Sequence, residues 1–329
     1  MHAVAMIGAG RIGRIHAATI AAHPRLRLAC VADATTYIAQ ELAAQYGATA
    51  TDVGSALSDP TIDAVVIASP TALHCDHMLA AAQADAGRPI FCEKPIDLDL
   101  DRARTVAARL DGVGARVLMG FNRRFDPHFA ALAARLAAGA IGAVEAIHIV
   151  SHDPAPPSTD YLASSGGLFR DMVIHDFDMA RCLLGAEPVG VFASASCLID
   201  PAIAAIGDVD TARTTLRTAE GRLCTISSSR RSGYGYDQRI EAYGAQGMIR
   251  AGNVTETTVE TWGPTGGRTD PFQNFFLDRY AQAYSNEMAH FADVIDGAAP
   301  QVMLRDGIAA LALAEAAARS VRSGRMETV

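Results

Sequence analysis

A glycine spacing near the start of the chain constrains the fold more than any other feature. Gly8, Gly10 and Gly13 form a G-x-G-x-x-G pattern that directly follows the apolar stretch Ala3–Ile7 and precedes a helical pattern. In a strand–turn–helix unit, the first glycine permits a tight turn and the second lets a pyrophosphate approach the backbone. The third lets the helix pack closely on the strand, and the helix N-terminus faces the phosphates. The pattern therefore predicts a βαβ unit that binds a dinucleotide.

The stretches that follow extend this unit into a larger sheet. Short apolar stretches alternate with helical stretches over about the first 120 residues, which is typical of a parallel sheet buried on both faces. The predicted strands are Ala3–Ile7, Leu28–Ala32, Ala64–Ala68, Ile90–Cys92 and Val117–Met119, and the predicted helices are Arg14–Ala22, Tyr37–Tyr46, Thr71–Ala86 and Asp101–Leu110. We expect an α/β protein whose residues 1–122 form an N-terminal Rossmann domain with a doubly wound parallel sheet.

The pattern changes after Asn122. Most later stretches have β character and are separated by Gly and Asn turns, which indicates an antiparallel sheet. The predicted strands are Val144–Ser151, Val189–Cys197, Thr211–Thr218, Leu223–Ser229, Gln238–Tyr243, Met248–Ala251 and Thr255–Thr261, and the predicted helices are Pro127–Ala138, Phe169–Leu184, Phe275–Asp296 and Leu304–Ser323. Residues 123–329 are therefore expected to form a C-terminal α+β domain with an open, mainly antiparallel sheet.

Charge and composition argue against several classes of protein. The formal net charge is −8, which disfavours nucleic acid as a partner because phosphates require a basic surface. No apolar run reaches the roughly 18 residues of a membrane span, and the start of the chain lacks the pattern of a signal peptide. We therefore expect a cytoplasmic protein. The cysteines form no C-x-x-C pair and several lie in apolar runs, so we expect buried, reduced thiols. They are Cys30, Cys75, Cys92, Cys182, Cys197 and Cys224.

Asp33 bears on the choice of dinucleotide. It ends the second predicted strand, 20 residues after Gly13. A carboxylate at this position accepts hydrogen bonds from the adenine ribose hydroxyls and repels a 2′-phosphate. The next residues, Ala34, Thr35 and Thr36, offer no arginine to bind such a phosphate. The sequence therefore favours NAD over NADP.

Lys94 is the only lysine among 28 basic residues, and all the others are arginine. Taken alone, this is equally consistent with chance survival of one surface lysine and with a site that needs a compact amine with an adjustable pKa. Lys94 follows a predicted strand, however, and ligands of open α/β sheets bind beyond the carboxyl ends of the strands. Its position favours a functional role, and Pro95 after it allows a cis peptide bond.

Asp171 and His175 form the second candidate pair. In a helix they are four residues apart and share one face, where a carboxylate can orient an imidazole and stabilise its cation. Such a pair suits alcohol oxidation, in which a base removes the hydroxyl proton. An alternative is a structural pair at a helix N-terminus. Another is a metal site that includes Asp178, but the sequence supplies no further ligand set and we expect no metal.

Several blocks of sequence resemble the oxidoreductase family that includes glucose–fructose oxidoreductase and the inositol dehydrogenases (Gfo/Idh/MocA). The resemblance covers nearly the whole chain, and it is most specific for inositol 2-dehydrogenases in the block Ser165–Leu184. The other blocks that carry it are Gly8–Gly13, Ala68–His74, Glu93–Pro95, Gly120–Asp126 and Tyr234–Arg239.

The resemblance implies an activity and a catalytic trio. His175 would take the hydroxyl proton, Asp171 would assist it, and Lys94 would donate to the substrate oxygen. The implied reaction is NAD-dependent oxidation of a small cyclic polyol, myo-inositol to 2-keto-myo-inositol (scyllo-inosose), by a homotetramer whose C-terminal domain binds substrate and forms the oligomer contacts. Alternatives are a dehydrogenase of scyllo- or chiro-inositol or of a pyranose sugar, and a non-catalytic NAD-binding sensor.

Further residues are candidates for ligand contacts. The expected substrate-binding residues are Lys94, Arg123, Asp153, Asp171, His175 and Tyr236. Arg123 could instead form a surface ion pair, Asp153 a turn, and Tyr236 a packing contact in the sheet. The expected cofactor-binding residues are Gly8, Gly10, Arg11, Ile12, Gly13, Asp33, Ser69, Thr71, His74, Glu93, Lys94 and Asn122, with helix capping as the alternative for Thr71.

Overall fold

The computed structural model describes all 329 residues, which form two compact units. The first unit comprises Met1–Phe125 and Ala283–Leu311, and the second comprises Asp126–Gln282 and Ala312–Val329. The division at residue 122 that the sequence suggests stays a prediction about domains. In space, the late segment 283–311 groups with the first unit, which the sequence pattern did not indicate.

A parallel sheet of six strands forms the centre of the first unit. The strands are β1 (His2–Ile7), β2 (Leu26–Ala32), β3 (Thr49–Thr51), β4 (Ala64–Ile67), β5 (Ile90–Glu93) and β6 (Val117–Gly120). Their order is β3-β2-β1-β4-β5-β6, and every pairing is parallel. β4, β5 and β6 are buried at every position, as expected for apolar strands covered on both faces. The predicted doubly wound sheet is confirmed.

Helices connect the strands of this sheet. They are α1 (Arg11–Ala22), α2 (Thr36–Gln45), α3 (Val53–Ser58), α4 (His74–Ala84) and α5 (Leu100–Gly112). One-turn 3₁₀ segments precede α4 at Thr71–Leu73 and follow β6 at Asn122–Phe125. Because the order reverses on either side of β1, the loops after β1 and β4 diverge at one edge of the sheet, which is where such folds bind nucleotides.

The second unit contains an open sheet of seven strands. These are β7 (Val144–His152), β8 (Pro188–Ser196), β9 (Thr211–Thr218), β10 (Leu223–Ser229), β11 (Asp237–Gly244) and β12 (Gly247–Ala251), with β13 (Glu260–Gly263) and β14 (Gly266–Thr269) in a separate hairpin and β15 (Glu327–Thr328) at one edge. The order is β12-β11-β7-β10-β9-β8-β15. Only β7 and β10 pair in parallel, so the predicted mainly antiparallel sheet is confirmed.

The remaining helices belong to the second unit, except for the part within residues 283–311, which belongs to the first. They are α6 (Pro127–Ala137), α7 (Thr159–Ser164), α8 (Ile174–Leu184), α9 (Pro201–Ala205), α10 (Phe276–Arg279), α11 (Ala281–Ile295) and α12 (Leu304–Ser323). Along β9, buried positions alternate with more exposed ones, as expected for a sheet with only one covered face. Every helix is either too short or too polar to span a lipid bilayer. All six cysteines are free thiols.

Two predicted elements differ from the structure. The predicted strand Thr255–Thr261 is wrong for most of its length, because β13 begins only at Glu260 and Thr255 makes a single bridge to Phe272. Its threonines favour extended structure, but β13 and β14 are exposed throughout and no buried face fixes their register. The predicted helix Phe275–Asp296 is interrupted at Tyr280, whose buried ring packs against Phe129.

Candidate active site

The three glycines after β1 have different spatial requirements. Gly8 has φ 101°, and a Cβ there would lie 2.5 Å from the backbone of Ala68 and Ser69. A Cβ on Gly13 would lie 2.1 Å from the carbonyl oxygen of Gly8. A Cβ on Gly10 would meet nothing within 4 Å. Gly8 and Gly13 are therefore required by packing within the protein, whereas Gly10 leaves open space at the start of α1.

Asp33 is fixed in place at the end of β2. One carboxylate oxygen accepts a hydrogen bond from the backbone N–H of Ala9 at 2.8 Å, and the other accepts one from Thr35 at 2.8 Å. Each carboxylate oxygen has two lone pairs, so both can accept another bond from a ribose hydroxyl. The carboxylate thus holds the glycine turn and is positioned to receive a ribose.

These features fit a dinucleotide without a 2′-phosphate. The first turn of α1 contains no acidic residue, and its N-cap Gly10 offers no side-chain hydrogen bond, so the first N–H groups of the helix are available to an anion. Arg11 and Ile12 lie in this turn, directly after Gly10 and the open space beside it. The negative charge of Asp33 at the ribose position disfavours a phosphorylated ribose.

Lys94 lies directly after β5 and is half-buried. The Lys94–Pro95 peptide bond is cis. The carboxylate of Glu93 accepts a hydrogen bond from the backbone N–H of Lys94 at 3.2 Å, and its other oxygen lies 2.6 Å from Nε2 of His16. His16 is fully buried on α1, so the backbone that carries the lysine is anchored to the helix that begins at the glycine turn.

His74 joins the loops that follow β4 and β5. Its Nδ1 lies 2.8 Å from the carbonyl oxygen of Pro95, and its Nε2 lies 2.8 Å from that of Ser69. The ring is buried, and burial lowers the pKa of His74 even though both carbonyl oxygens favour its protonation. Since each ring nitrogen faces a protein carbonyl, His74 supports the positions of Ser69 and Pro95. Its predicted direct contact with a cofactor stays a prediction.

The remaining predicted residues of the first unit lie at the same edge of the sheet. Ser69 is half-buried after β4, and its hydroxyl lies 2.9 Å from Nδ1 of His77. Thr71 begins the 3₁₀ turn before α4, which has no side-chain cap. Asn122 and Arg123 follow β6 and are 5% and 4% exposed. Burial of this kind is inconsistent with a surface ion pair for Arg123.

Asp171 lies in a π-helical turn, Phe169–Val173, that leads into α8. Gly166 and Gly167 precede this turn with φ values of 84° and 85°. The predicted helix is therefore confirmed, although its first turn is wider than an α-helical turn. Single π turns of this kind often occur at functional sites. His175, four residues after Asp171, is half-buried in the first turn of α8.

Side chains from two other elements contact the carboxylate of Asp171. The hydroxyl of Tyr161 on α7 donates to Oδ1 at 2.7 Å. The two terminal nitrogens of Arg230, which follows β10, donate to Oδ2 at 3.3 Å each. Sequence analysis predicted neither residue. Tyr161 lies just after a proline-rich stretch, and Arg230 has no motif of its own.

Asp153 and Tyr236 lie at the same end of the second sheet as Arg230. In the strand register, Ser229 of β10 and Asp237 of β11 both pair with His152 of β7. Asp153 and Arg230 each follow one of these strand ends, and Tyr236 precedes the third. Asp153 is half-buried, and the ring of Tyr236 is buried against Tyr280 at a centroid distance of 6.0 Å. The structure thus brings both predicted residues to one edge.

Acidic and histidine side chains do not gather into a metal site. No group of three His, Cys, Asp or Glu residues in the chain could hold a metal ion. Asp178, the third ligand considered for such a site, is buried with a carboxylate oxygen 3.7 Å from Arg181.

Comparisons with known proteins agree with this arrangement. Residues 2–121 match the NAD-binding Rossmann fold of the GFO/IDH/MocA oxidoreductase family, and residues 129–250 match the GFO/IDH/MocA C-terminal domain. The chain is 46% identical to the inositol 2-dehydrogenase of Rhizobium meliloti over 325 residues, 98% of each protein.

Two solved structures are also similar. A myo-inositol dehydrogenase from Corynebacterium glutamicum is 44% identical with a TM-score of 0.95, covering 100% of this chain and 99% of that one. A scyllo-inositol dehydrogenase from Lactobacillus casei, solved with bound NAD(H) and scyllo-inositol, is 25% identical with a TM-score of 0.91, covering 100% and 99%. The two regions that match the family, residues 2–121 and 129–250, lie in the first and the second unit respectively, and NAD is the cofactor. The chain belongs to the GFO/IDH/MocA family of NAD-binding oxidoreductases.

Proposed function

We propose that the enzyme oxidises one ring hydroxyl of a cyclic polyol, with myo-inositol as substrate and 2-keto-myo-inositol (scyllo-inosose) as product. The observation that carries the proposal is the placement of Lys94. The only lysine of the chain is half-buried just beyond the carboxyl end of β5 in the parallel sheet. The carboxylate of Glu93 accepts a hydrogen bond from its backbone N–H there. The names of the similar proteins support an inositol as the substrate class.

We assign the three central residues separate roles. His175 accepts the proton of the reacting hydroxyl, and the carboxylate of Asp171 favours the imidazolium that results. Lys94 donates a hydrogen bond to the same oxygen, which lowers the cost of the negative charge that develops there. NAD, when bound, supplies the acceptor for the hydride that leaves the substrate carbon.

The cofactor-binding residues follow from the fit described above. The glycine turn and the start of α1 would hold the pyrophosphate, and Asp33 would accept bonds from the adenine ribose. The set we propose is Gly8, Gly10, Arg11, Ile12, Gly13, Asp33, Ser69, Thr71, His74, Glu93, Lys94 and Asn122.

Recognition of a polyol requires several polar groups besides the reacting trio. Each hydroxyl that leaves water must find a partner, because an unpaired buried polar group is costly. We assign Arg123, Asp153 and Tyr236 to the hydroxyls that do not react. Arg123 and Tyr236 are buried polar side chains, and Asp153 is half-buried at the strand edge that also carries Arg230.

The quaternary state we propose is a homotetramer assembled through the open sheet. Apolar side chains are exposed on its strands, which is typical of a surface that another subunit covers. They are Val189 and Phe192 on β8, Leu223 on β10, Tyr243 on β11 and Met248 on β12. We further propose that the enzyme acts in inositol catabolism in the cytoplasm, whose reducing conditions agree with six free thiols.

The test is NADH formation by the purified enzyme with NAD and a panel of polyols. We expect turnover with myo-inositol to exceed turnover with scyllo-inositol, chiro-inositol and pyranose sugars. Turnover that is fastest with one of the others would reassign the substrate within the class. Absence of NADH with every member of the panel, from a protein that binds NAD, would contradict the proposal.

A further inference from the structure

Arg230 is the largest side chain that the fold buries completely. Its guanidinium contacts Oδ2 of Asp171 through both terminal nitrogens, and one of these nitrogens lies 3.9 Å from Oδ2 of Asp208. A buried cation is costly unless carboxylates and hydrogen bonds compensate it. Asp171 and Asp208 therefore compensate the buried positive charge of Arg230, and Asp171 is the closer of the two.

The two carboxylate oxygens of Asp171 have different hydrogen-bond donors. A carboxylate oxygen has two lone pairs, and the two N–H groups of Arg230 account for both lone pairs of Oδ2. Tyr161 accounts for one lone pair of Oδ1. Arg230 places two donors on Oδ2 and Tyr161 places one on Oδ1, which favours Oδ1 for an imidazole or a substrate hydroxyl.

The backbone of Arg230 is also held firmly. Its N–H donates to the carbonyl oxygen of Asp210 at 2.9 Å. The carboxylate of Asp210 in turn accepts backbone N–H groups of Leu198 and Ile199. Burial alone would raise the pKa of Asp210, but these hydrogen bonds lower it to about 2. The charged Asp210 thus ties the start of β9 to the loop after β8 and fixes the position from which Arg230 extends.

Asp208 completes the surroundings of the guanidinium. Its Oδ1 accepts the backbone N–H of Leu168 at 3.0 Å, and a Cβ on Gly167 would lie 2.9 Å from that same oxygen. Asp208 is therefore fixed against the glycine pair that precedes the π turn. Arg230 therefore contacts both Asp171 and the carboxylate that positions the start of this turn.

We propose that Arg230 is a positioning residue for the reaction. It occupies Oδ2 of Asp171, orients the carboxylate, and leaves Oδ1, shared with Tyr161, as the atom that serves His175 or the substrate. The inference rests on the function proposed above. A guanidinium suits this role because its planar fork places two donors on one oxygen, which a lysine ammonium cannot do with the same rigidity.

The first arm of the test uses Arg230→Lys, with Arg88→Lys as a matched control. Arg88 is also a buried arginine with terminal nitrogens on protein acceptors, the carbonyls of Leu57 and Asp59, and it lies at the opposite end of β5 from Lys94. Thermal unfolding, the Kd for NAD, kcat, KM and the isotope effect with ring-deuterated myo-inositol are measured for each protein.

We expect Arg230→Lys to lower kcat by about 10- to 100-fold and to raise the deuterium isotope effect, because misplaced proton transfer makes the chemical step rate-limiting. The Kd for NAD stays within about twofold of wild type. Arg88→Lys loses stability without a change in the isotope effect. If Arg230→Lys retains the wild-type kcat and isotope effect, or changes them only as Arg88→Lys does, the inference is wrong.

The second arm uses Tyr161→Phe. Tyr161 is half-exposed and the substitution keeps its ring, so we expect a smaller loss of stability than in Arg230→Lys. Removing the hydroxyl takes one donor from Oδ1, so kcat or KM for the polyol must change by several-fold, again at constant Kd for NAD. Unchanged kcat, KM and isotope effect in this variant would overturn the assignment of Oδ1 even if Arg230→Lys fails to fold. Wild-type protein without turnover on any polyol would instead contradict the proposed function.

Discussion

Lys94 and Asp171 are held by different kinds of contact. The segment that carries Lys94 is held largely through backbone groups. The carboxylate of Glu93 accepts the backbone N–H of Lys94, and the ring of His74 faces the carbonyl oxygens of Ser69 and Pro95. The carboxylate of Asp171 is contacted by side chains of separate elements, 10 and 59 residues away along the chain. The first arrangement is a property of a common sheet motif, whereas the second depends on long-range pairs specific to this fold.

The largest effect is expected from removing the reacting groups of either region. We predict that Lys94→Ala and His175→Ala each lower kcat by about 10³-fold, because each removes a group that acts on the substrate oxygen or its proton. Lys94→Arg should not restore turnover, since a guanidinium is larger and cannot replace a compact amine. NADH formation measures kcat, and NAD titration checks that the variants still bind cofactor. If either variant keeps a kcat within tenfold of wild type, the substituted residue does not act in the chemical step, and only one of the two regions contributes to catalysis.

The next effect concerns stability in the motif-based region. We predict that Gly13→Ala lowers the free energy of unfolding by about 1–3 kcal/mol, because the new Cβ would lie 2.1 Å from the carbonyl oxygen of Gly8. Gly10→Ala is the matched control: its Cβ meets nothing within 4 Å, so stability should hold while the Kd for NAD increases. Urea denaturation and NAD titration separate the two effects. Equal loss of stability in both variants would show that packing does not distinguish these glycines.

A smaller effect is expected at the ribose carboxylate. Asp33→Ala should raise the Kd for NAD by about tenfold and reduce the preference for NAD over NADP, because a charged acceptor and its repulsion of a phosphate are both lost. Asp33→Asn keeps one oxygen acceptor and removes the charge, so it should retain more NAD affinity while losing the discrimination. Direct titration with both dinucleotides provides the measurement. An unchanged ratio of the two Kd values in Asp33→Ala would show that another residue selects the cofactor.

The smallest effect concerns Glu287, a fully buried carboxyl on α11 whose two oxygens have no hydrogen-bond partner. Burial, and to a lesser extent the charge of Glu93, raises the pKa of Glu287 well above its ordinary value of 4.5. The folded protein then keeps a proton that the unfolded chain releases, so this group destabilises the fold increasingly as pH rises above about 4.5.

Glu287→Gln cannot ionise and should remove this dependence. We predict that the stability of the variant relative to wild type increases between about pH 5 and about pH 8, measured by urea denaturation. Glu145→Gln, on an exposed position of β7, serves as the control and should show no such trend. A relative stability that stays constant with pH would mean that Glu287 is charged in the folded protein, and the region around Glu93 would then require a compensating cation.

Sequence patterns predicted the longer elements and the residues near Lys94 more completely than the surroundings of Asp171. The apolar stretches that became β1, β4, β5 and β6 stand out because a buried parallel strand is apolar throughout. Short elements such as β3, α3, α7 and α9 span three to six residues, too few to show a period.

The contacts of Asp171 could not be predicted for a different reason. Arg230 lies in a serine- and arginine-rich stretch that resembles a solvated surface, yet tertiary packing buries it completely. A pairing between residues 59 positions apart leaves no periodic or spacing signal in a single sequence. His16 is a similar case: it lies on the buried face of α1, and only the structure shows that its ring meets Glu93.

The use of arginine at every basic position but one has a spectroscopic consequence. Selective ¹⁵N labelling of lysine introduces one side-chain nitrogen into the whole protein, and it belongs to Lys94. The NMR resonance of this nitrogen needs no assignment. Changes in its chemical shift when dinucleotide and polyol are added report the environment of that single amine. Reductive methylation with ¹³C-formaldehyde provides the same view, with the chain's N-terminus as the one other reactive amine.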